Sequence, residues 1–200
     1  MQAASAGYID RIENISIAMN LRMALTYSEL AKGNSAFHSY RYPMAAKDGD
    51  GWIQCRCGGK HWGVNGAAGL LLFREGKVMM QHRAPWVHNG DTWGLPGGAR
   101  DSHESIEEAA IRESVEETGI NPDHVEVVAL FSDDHIDWRY DTVIAKAHGN
   151  LATSEWNPET HDIGWFEIEE VRRLELHPSF AKTWPTLQNL VSELIASETL

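Results

Sequence analysis

The strongest hydrophobic pattern lies in the middle of the chain, where short apolar runs alternate with turns. Ala67 to Phe73 is a continuous apolar run, which is typical of a strand buried on both faces. Glu75-Gly76 predicts a turn, Lys77 to Arg83 a second strand, and Thr92 to Leu95 a short third one. The pattern therefore predicts a β-hairpin and a short strand that lead into Pro96-Gly97-Gly98.

A helical period follows between Ser105 and Gly119. Ser105 and Glu108 have the spacing of a capping box, and Gly119 suits the left-handed position at which helices end. The side of the helix expected to pack on the core carries Ile111, Val115 and Thr118. The pattern thus predicts a helix of about four turns with one buried face.

Three more strands and a closing helix are predicted after this helix. The strands are His124 to Phe131, Tyr140 to Ala147 and Asp162 to Ile168. A helix is expected from about Phe180 to Ser197, with Pro185 near its start. Strands on both sides of a central helix, closed by another helix, predict an α/β fold of the α/β/α sandwich type.

The N-terminal third has a different pattern. Apolar residues in Met1 to Gly33 recur with a roughly helical period, which predicts a helix that packs on its own domain or forms a homodimer contact. Asn34 to about Lys60 is polar and glycine-rich, as in a linker or a small irregular subdomain. We expect residues 1–62 to form a helical and irregular extension and residues 63–200 to form the main domain.

The charge of the chain narrows the classes of partner. The 200 residues carry a net charge of −12 with only 17 Lys and Arg, which argues against nonspecific binding to nucleic acid or to an anionic membrane. No apolar run is long enough to span a bilayer, and the N-terminus lacks the pattern of a secretory signal. Because two cysteines in a CRC sequence do not make a disulfide framework, a cytoplasmic location is expected.

The negative charge is concentrated on the predicted central helix. Glu113, Glu116 and Glu117 are related as i, i+3 and i+4, so their carboxylates share one face. A solvated acidic surface is the alternative, but like charges at these spacings destabilise a helix, and only Arg112 offsets them. Clustered carboxylates are ligands for Mg²⁺ or Mn²⁺, and glycines just before the helix would let backbone carbonyls approach the same ions.

The segment from Gly98 to Ile120 resembles the Nudix box, the sequence signature of the Nudix hydrolases. The match runs through Gly98, Glu104, Arg112-Glu113, Glu116-Glu117, Gly119 and Ile120. Ser114 stands where the family usually has an apolar residue, and its hydroxyl is expected to bond back to the Ala110 carbonyl. The resemblance extends from about Gly66 to Leu190 and implies a Nudix-type sandwich with a mixed sheet.

The resemblance also implies roles for the residues of the box. Glu113, Glu116 and Glu117 would bind Mg²⁺, for which Mn²⁺ can substitute, together with backbone carbonyls near Gly97 and Gly98. Arg112 and Glu104 would orient these carboxylates, and Glu104 could reach a metal through water. Glu116 or Glu117 is favoured as general base, with Glu155, Glu159 and Asp162 as alternatives.

The implied reaction is hydrolysis of a diphosphate linkage in a nucleoside diphosphate derivative, a nucleotide-type small molecule. The chain lacks the Ser-Gln-Pro-Trp-Pro-Phe-Pro-like run of NADH pyrophosphatases and the proline that ADP-ribose pyrophosphatases tend to carry after the box. These absences favour a pyrophosphohydrolase of nucleoside triphosphates, including oxidised ones. An ADP-ribose or nucleotide-sugar pyrophosphatase is the alternative, and a non-catalytic nucleotide-sensing module is the alternative of another class.

Outside the box, two residues are candidates for substrate binding. Arg83 could contact a phosphate through its guanidinium, although a solvated strand end is an equal interpretation. Trp165 is expected to pack beneath the site or to stack on a base. His88 and the acidic loop from Ser132 to Arg139 are interpreted as polar loop residues.

Cys55, Cys57 and His61 could supply three ligands to a zinc ion. Structural zinc sites usually have four ligands, and this spacing is not that of a ribbon or finger. From the sequence alone, two ordinary thiols and an ordinary histidine are therefore favoured over structural Zn²⁺.

Overall fold

The computed structural model describes residues 47–151 and 157–197. The predicted N-terminal helix and Glu155 lie outside these residues, and the division into residues 1–62 and 63–200 stays a prediction. Within the described residues, no helix combines the length and the apolar character needed to cross a membrane.

A seven-stranded sheet forms the centre of the fold. Its strands are β3 (Ala67–Arg74), β4 (Lys77–Arg83), β5 (Trp93–Gly94), β6 (Gly97–Ala99), β7 (Val125–Asp134), β8 (Arg139–Ala147) and β9 (Thr160–Glu167). β3 is parallel to β8, whereas the other pairs are antiparallel. The predicted mixed sheet is therefore confirmed.

The hairpin β3–β4 opens soon after its turn. The two strands pair only at Phe73↔Val78 and Arg74↔Lys77. Farther from the turn the two strands separate. β6 then pairs with the edge of β3 that β4 leaves open, and β5 pairs with the edge of β4 that β3 leaves open. The remaining order is β4–β3–β8–β7, with β9 on the outer edge of β4. This opening brings the glycine segment of β6 against the start of β3.

Two helices cover the two faces of the sheet, which explains the uninterrupted apolar run of β3. Helix α1 (Ile106–Thr118) packs Ala109 and Ala110 against Leu70 and Leu72. Helix α2 (Pro178–Ser197) packs its apolar side on the opposite face, which includes Leu71 and Phe73. Alternate residues of one strand thus belong to different cores, and the predicted α/β/α sandwich is confirmed.

Several boundaries differ from the sequence predictions. The polar segment before residue 60 contains a small hairpin of β1 (Trp52–Gln54) and β2 (Lys60–Trp62). β6 lies where no strand was predicted, and β7 continues three residues beyond Phe131. Helix α2 begins at Pro178, so Pro185 lies inside the helix and not near its start, because Pro178 occupies the first position. Short 3₁₀ turns at Pro122–His124 and Val171–Arg173 complete the described elements.

Candidate active site

Helix α1 has both of its predicted caps. The Glu108 amide donates to Ser105 Oγ at 3.2 Å, and the Ser105 amide donates to a Glu108 carboxylate oxygen at 2.8 Å. Gly119 is left-handed with φ of 66°, and its amide bonds the Val115 carbonyl. Ser114 Oγ bonds the Ala110 carbonyl at 2.7 Å and is fully buried, as predicted, so its polar group is satisfied inside the core.

The glycines of β6 lie directly against the acidic face of α1. The Gly97 amide donates to Glu117 Oε2 at 2.8 Å. A Cβ on Gly98 would lie 2.7 Å from the Glu113 carboxyl carbon, and one on Gly97 would lie 2.5 Å from the Ala68 carbonyl oxygen. A side chain at Gly97 would therefore clash with the backbone of β3, whereas a side chain at Gly98 would displace the flexible Glu113 carboxylate.

The Arg112 guanidinium bridges the carboxylates of Glu104 and Glu113. It makes two hydrogen bonds to Glu104, at 2.5 and 2.9 Å, and a third to Glu113 at 2.6 Å. A fourth goes to the Ala99 carbonyl at 3.1 Å. Burial lowers the pKa of Arg112, but the ion pairs with Glu104 and Glu113 outweigh burial and the net pKa is raised. Arg112 therefore stays charged and holds Glu113 beside the glycines.

Glu104 is fully engaged by its neighbours. Besides the pair with Arg112, its carboxylate accepts the Asp101 amide at 3.0 Å, and its side chain is only 6% exposed. Burial raises the pKa of Glu104, but these hydrogen bonds outweigh it, and the pKa is lowered. Its contacts are those of a residue that positions others.

Glu116 is the exposed member of the acidic face, and Lys47 is its partner. The Lys47 ammonium lies 2.9 Å from Glu116 Oε2, and the hydrogen bond to Glu116 raises the pKa of Lys47, with Glu113 adding to the effect. Arg112 lies 3.5 Å from the same Glu116 oxygen. A cationic group thus already lies at this carboxylate cluster, as expected of a site whose charge suits a cation.

The carboxyl groups of Glu117 and Glu113 are buried, and this changes their protonation. The net pKa of Glu117 is raised to about 8, mainly by burial and also by the neighbouring Glu113, whereas the Gly97 amide and Arg83 lower it. Burial also raises the pKa of Glu113, although Arg112 opposes the shift. Two acids held this close favour a bound cation because its charge would stabilise their ionised forms.

Arg83 lies on the same side as the buried carboxylates. Its charge lowers the pKa of Glu117, and its Nη2 donates to the His88 carbonyl at 3.3 Å. Its Nε is buried without a hydrogen-bond partner in the described structure. Since a buried donor without a partner is costly, Arg83 retains bonding capacity for a ligand.

The sequence did not predict Gln81, Thr160 or Asn157 near the site. Gln81 is fully buried and donates to Thr160 Oγ1 at 2.7 Å, while its Oε1 has no partner among the described residues. Thr160 and Asn157 bond the carbonyls of Glu117 and Glu116 at 2.9 and 3.0 Å. These residues, and Lys47 as well, are distant from the acidic helix in the sequence. The folding of the chain brings them next to it.

Trp165 lies apart from the acidic cluster. Its ring packs on the core with the Arg74 guanidinium 4.5 Å from its centroid. Arg74 ends β3 six residues after Ala68, the partner of Gly98, which corresponds to about 20 Å along the strand. Trp165 therefore packs on the core cluster that also contains Ala109 and Ala110 of α1, and its role in substrate binding stays a prediction.

The remaining candidates are distributed around the site. Glu159 raises the pKa of Glu117 and so lies within electrostatic range of it, whereas the Asp162 carboxylate accepts its neighbour's amide, that of Ile163. His88 is an exposed loop residue, as predicted. The acidic loop after β7 contacts the β1–β2 hairpin through Asp137, which pairs with Arg56.

Comparison with known proteins identifies the family. A model of the NUDIX domain matches residues 64–187, more than half of the chain. The chain belongs to the Nudix family. The resemblance seen in the box is thereby confirmed, and the chain is a Nudix hydrolase.

Two relatives are similar over most of this Nudix hydrolase. It is 46% identical over 152 residues to "Putative 8-oxo-dGTP diphosphatase 3" of Mycobacterium tuberculosis, with 70% of each chain covered. It is 43% identical over 159 residues to the "Nucleoside triphosphate pyrophosphatase/Nudix hydrolase fusion protein" of Bifidobacterium longum. The latter alignment covers 75% of this chain and 33% of the fusion protein, so the chain spans about a third of that relative.

Solved structures agree on the fold. The crystal structure of the Nudix hydrolase RenU from M. smegmatis superposes with a TM-score of 0.66 at 41% identity, covering 72% of this chain and 96% of RenU. A C. elegans Ap4A hydrolase superposes with a TM-score of 0.53 at 18% identity, covering 64% and 98% of the two chains. The second likeness shows the shared fold alone.

Proposed function

We propose that this Nudix hydrolase is a Mg²⁺-dependent pyrophosphohydrolase of nucleoside triphosphates, with oxidised nucleotides among its substrates. The observation that carries the proposal is the cluster of Glu113, Glu116 and Glu117 against Gly97 and Gly98, with Arg83 beside it. The relative named as an 8-oxo-dGTP diphosphatase, at 46% identity, supports this choice of substrate.

The donor set fits Mg²⁺ or Mn²⁺. Glu113, Glu116 and Glu117 offer hard oxygen ligands, and the carbonyls of Gly97 and Gly98 are on the adjacent strand. When bound, such ions polarise phosphoryl oxygens, neutralise developing charge and lower the pKa of bound water. The protein would fix the positions of the ions, because Arg112 and the Gly97 amide hold two of the three carboxylates in place.

Each surrounding residue then has a role. Arg112 and Glu104 are positioning residues, since their hydrogen bonds are made within the protein. Arg83 would hold a phosphate, for which its planar guanidinium is suited. Glu116 or Glu117 would accept the proton of the attacking water, with Glu159 as the alternative outside the box.

A panel of substrates tests the proposal. The protein would be incubated with Mg²⁺ and, separately, with dGTP, 8-oxo-dGTP, ADP-ribose, a nucleotide sugar and a dinucleoside polyphosphate. We expect nucleoside monophosphate and pyrophosphate from the triphosphates, with kcat/KM at least about 10-fold higher than for the others, a difference of about 1.4 kcal/mol. AMP and ribose phosphate as the preferred products would instead support the ADP-ribose alternative.

The non-catalytic alternative makes a different prediction. A nucleotide-sensing module would bind one of these nucleotides tightly in calorimetry but would release no product. The retention of every carboxylate of the box favours the enzyme. Tight nucleotide binding without turnover of any substrate, in Mg²⁺ and in Mn²⁺, would refute the proposal that the protein is an enzyme.

A further inference from the structure

A second group of metal-ligand side chains lies outside the acidic site, at the tip of the β1–β2 hairpin. Cys55 Sγ, Cys57 Sγ and His61 Nε2 all lie within 4.8 Å of one another, and Cys57 Sγ and His61 Nε2 are 3.1 Å apart. Tetrahedral zinc would separate two sulfurs by about 3.8 Å and a sulfur from a nitrogen by about 3.6 Å. The three atoms are therefore close to the spacing that one ion requires.

The backbone of the hairpin turn is arranged around the two sulfur atoms. The Cys57 amide donates to Cys55 Sγ, and the Gly59 amide donates to Cys57 Sγ, both at 3.4 Å. Two backbone hydrogen bonds of 3.0 Å close the turn from Cys55 to Gly59, and Gly58 has a φ of 90°. Amides directed at sulfur stabilise the thiolate form, which is the form that binds metal.

The hairpin has little of its own to hold it together. Each strand has three residues, and most of their side chains are exposed, including Trp52 at 44% and Trp62 at 40%. A two-stranded hairpin of this kind is marginally stable alone. Its polar contacts go to the turn after β7, where Arg56 pairs with Asp137 and the Trp138 indole donates to the Trp62 carbonyl. A structural metal would add to the stabilisation from these contacts.

We propose that Cys55, Cys57 and His61 bind one zinc ion that fixes the hairpin. Soft sulfur and imidazole donors select zinc over Mg²⁺, which prefers oxygen. The described cluster offers three protein ligands, so we assign the fourth position to water, which can reach the exposed Cys57. In the sequence the spacing of these three residues did not match a known zinc motif. In the structure the hairpin turn brings their three ligand atoms together.

The hairpin also connects to β3, the strand that pairs with the glycine segment of β6. Gly63 and Val64 bond back to Gly51 and Gly49, and Gly66, just before β3, accepts the Arg100 amide at 3.1 Å. Loss of zinc should therefore loosen the start of β3 without removing any carboxylate of the acidic helix.

Metal analysis of the full-length protein, purified without chelator, tests the proposal. We expect about one zinc per chain in the wild type, and an at least 10-fold loss in Cys55→Ser and Cys57→Ser. His148→Ala is the matched control, because His148 is exposed and pairs with Glu126 elsewhere on the surface. Glu116→Gln should likewise retain zinc, which separates this ion from metals at the acidic site.

Cobalt substitution gives a readout that does not depend on the folding of the variants. Wild-type protein reconstituted with Co²⁺ should show a thiolate-to-metal charge-transfer band in the near ultraviolet, which a carboxylate site cannot produce. Zinc retained in both cysteine variants would overturn the assignment. So would a wild type that contains no zinc and shows no such band.

Discussion

Glu116 is the most accessible carboxylate of the acidic cluster, so its removal tests metal binding with the least effect on folding. Its side chain is 40% exposed, and its ion pair with Lys47 is on the surface, where such pairs contribute little stability. We expect Glu116→Gln to lower kcat by at least about 100-fold, beyond what partners of metal ligands usually cost, with thermal stability nearly unchanged.

Glu126→Gln is the control for this variant. Glu126 is also an exposed glutamate in an ion pair, with His148 at 2.7 Å, but it lies on β7 away from the acidic helix. Initial rates at saturating Mg²⁺ and a melting curve would be measured for both variants. Wild-type activity in Glu116→Gln would refute the assignment of this residue to the metal site.

Gly98 tests whether the approach of β6 to Glu113 matters for catalysis. In Gly98→Ala the new methyl group would lie 2.7 Å from the Glu113 carboxyl carbon, so the flexible carboxylate must move and its 2.6 Å bond to Arg112 must change. Because displacements of about 1 Å can cost about 100-fold in rate, kcat/KM should fall by that order with little change in stability.

The matched control for this glycine is Gly94→Ala. Its Cβ would meet only His177 Cβ at 3.7 Å, an ordinary contact, so activity should be retained. Steady-state kinetics and thermal denaturation of both variants provide the comparison. Equal activity of the two variants would show that the close approach at Gly98 is dispensable.

At the scale of the element, the capping box of α1 should have a measurable effect on stability. Ser105→Ala removes the acceptor of the Glu108 amide and should lower the free energy of unfolding by about 1 kcal/mol. Ser192→Ala on α2 removes a hydroxyl that bonds the Gln188 carbonyl within a helix and should change stability by less than about 0.5 kcal/mol. Urea denaturation measures both, and equal effects would contradict the capping role.

Elements with local signals could be predicted from the sequence, and those without them could not. The caps of α1, at Ser105 and Gly119, depend on residues a few positions apart, and both ends were predicted correctly. The strand Gly97–Ala99 has no side-chain pattern and exists because Ala67 to Gly69 offers it an open edge. Pairing between distant segments is a property of the fold, which a local pattern does not contain.

The same distinction holds for the active site at the scale of the whole molecule. The carboxylates of α1 are regularly spaced in the sequence, so the acidic cluster was predictable. Lys47 and Thr160 reach that cluster from segments 69 and 43 residues away from their partners Glu116 and Glu117. The burial that raises the pKa of Glu117 likewise depends on the packing of the sheet against α1.

The protonation of Glu117 should couple metal binding to the stability of the whole protein. Its pKa of about 8 in the folded protein lies above the ordinary value of 4.5, so the metal-free fold favours the neutral acid. The resulting stability is fully present below about pH 4.5 and is lost as the pH rises through 8, by on the order of a few kcal/mol. Under the proposed function Mg²⁺ would bind the ionised form, so its stabilising effect should increase over the same range.

Melting temperatures with EDTA and with excess Mg²⁺, measured at pH 6 and at pH 8.5, test this coupling. The increase caused by Mg²⁺ should be larger at pH 8.5, because at pH 6 binding must first release the proton of Glu117. Calorimetry near pH 7 in two buffers of different ionisation enthalpy should detect that release as about one proton per chain. Glu117→Gln removes this ionisable group, so the pH dependence of the Mg²⁺ effect should be smaller in this variant, with the contribution of Glu113 remaining. An equal effect of Mg²⁺ at both pH values in the wild type would show that Glu117 is already ionised in the metal-free protein.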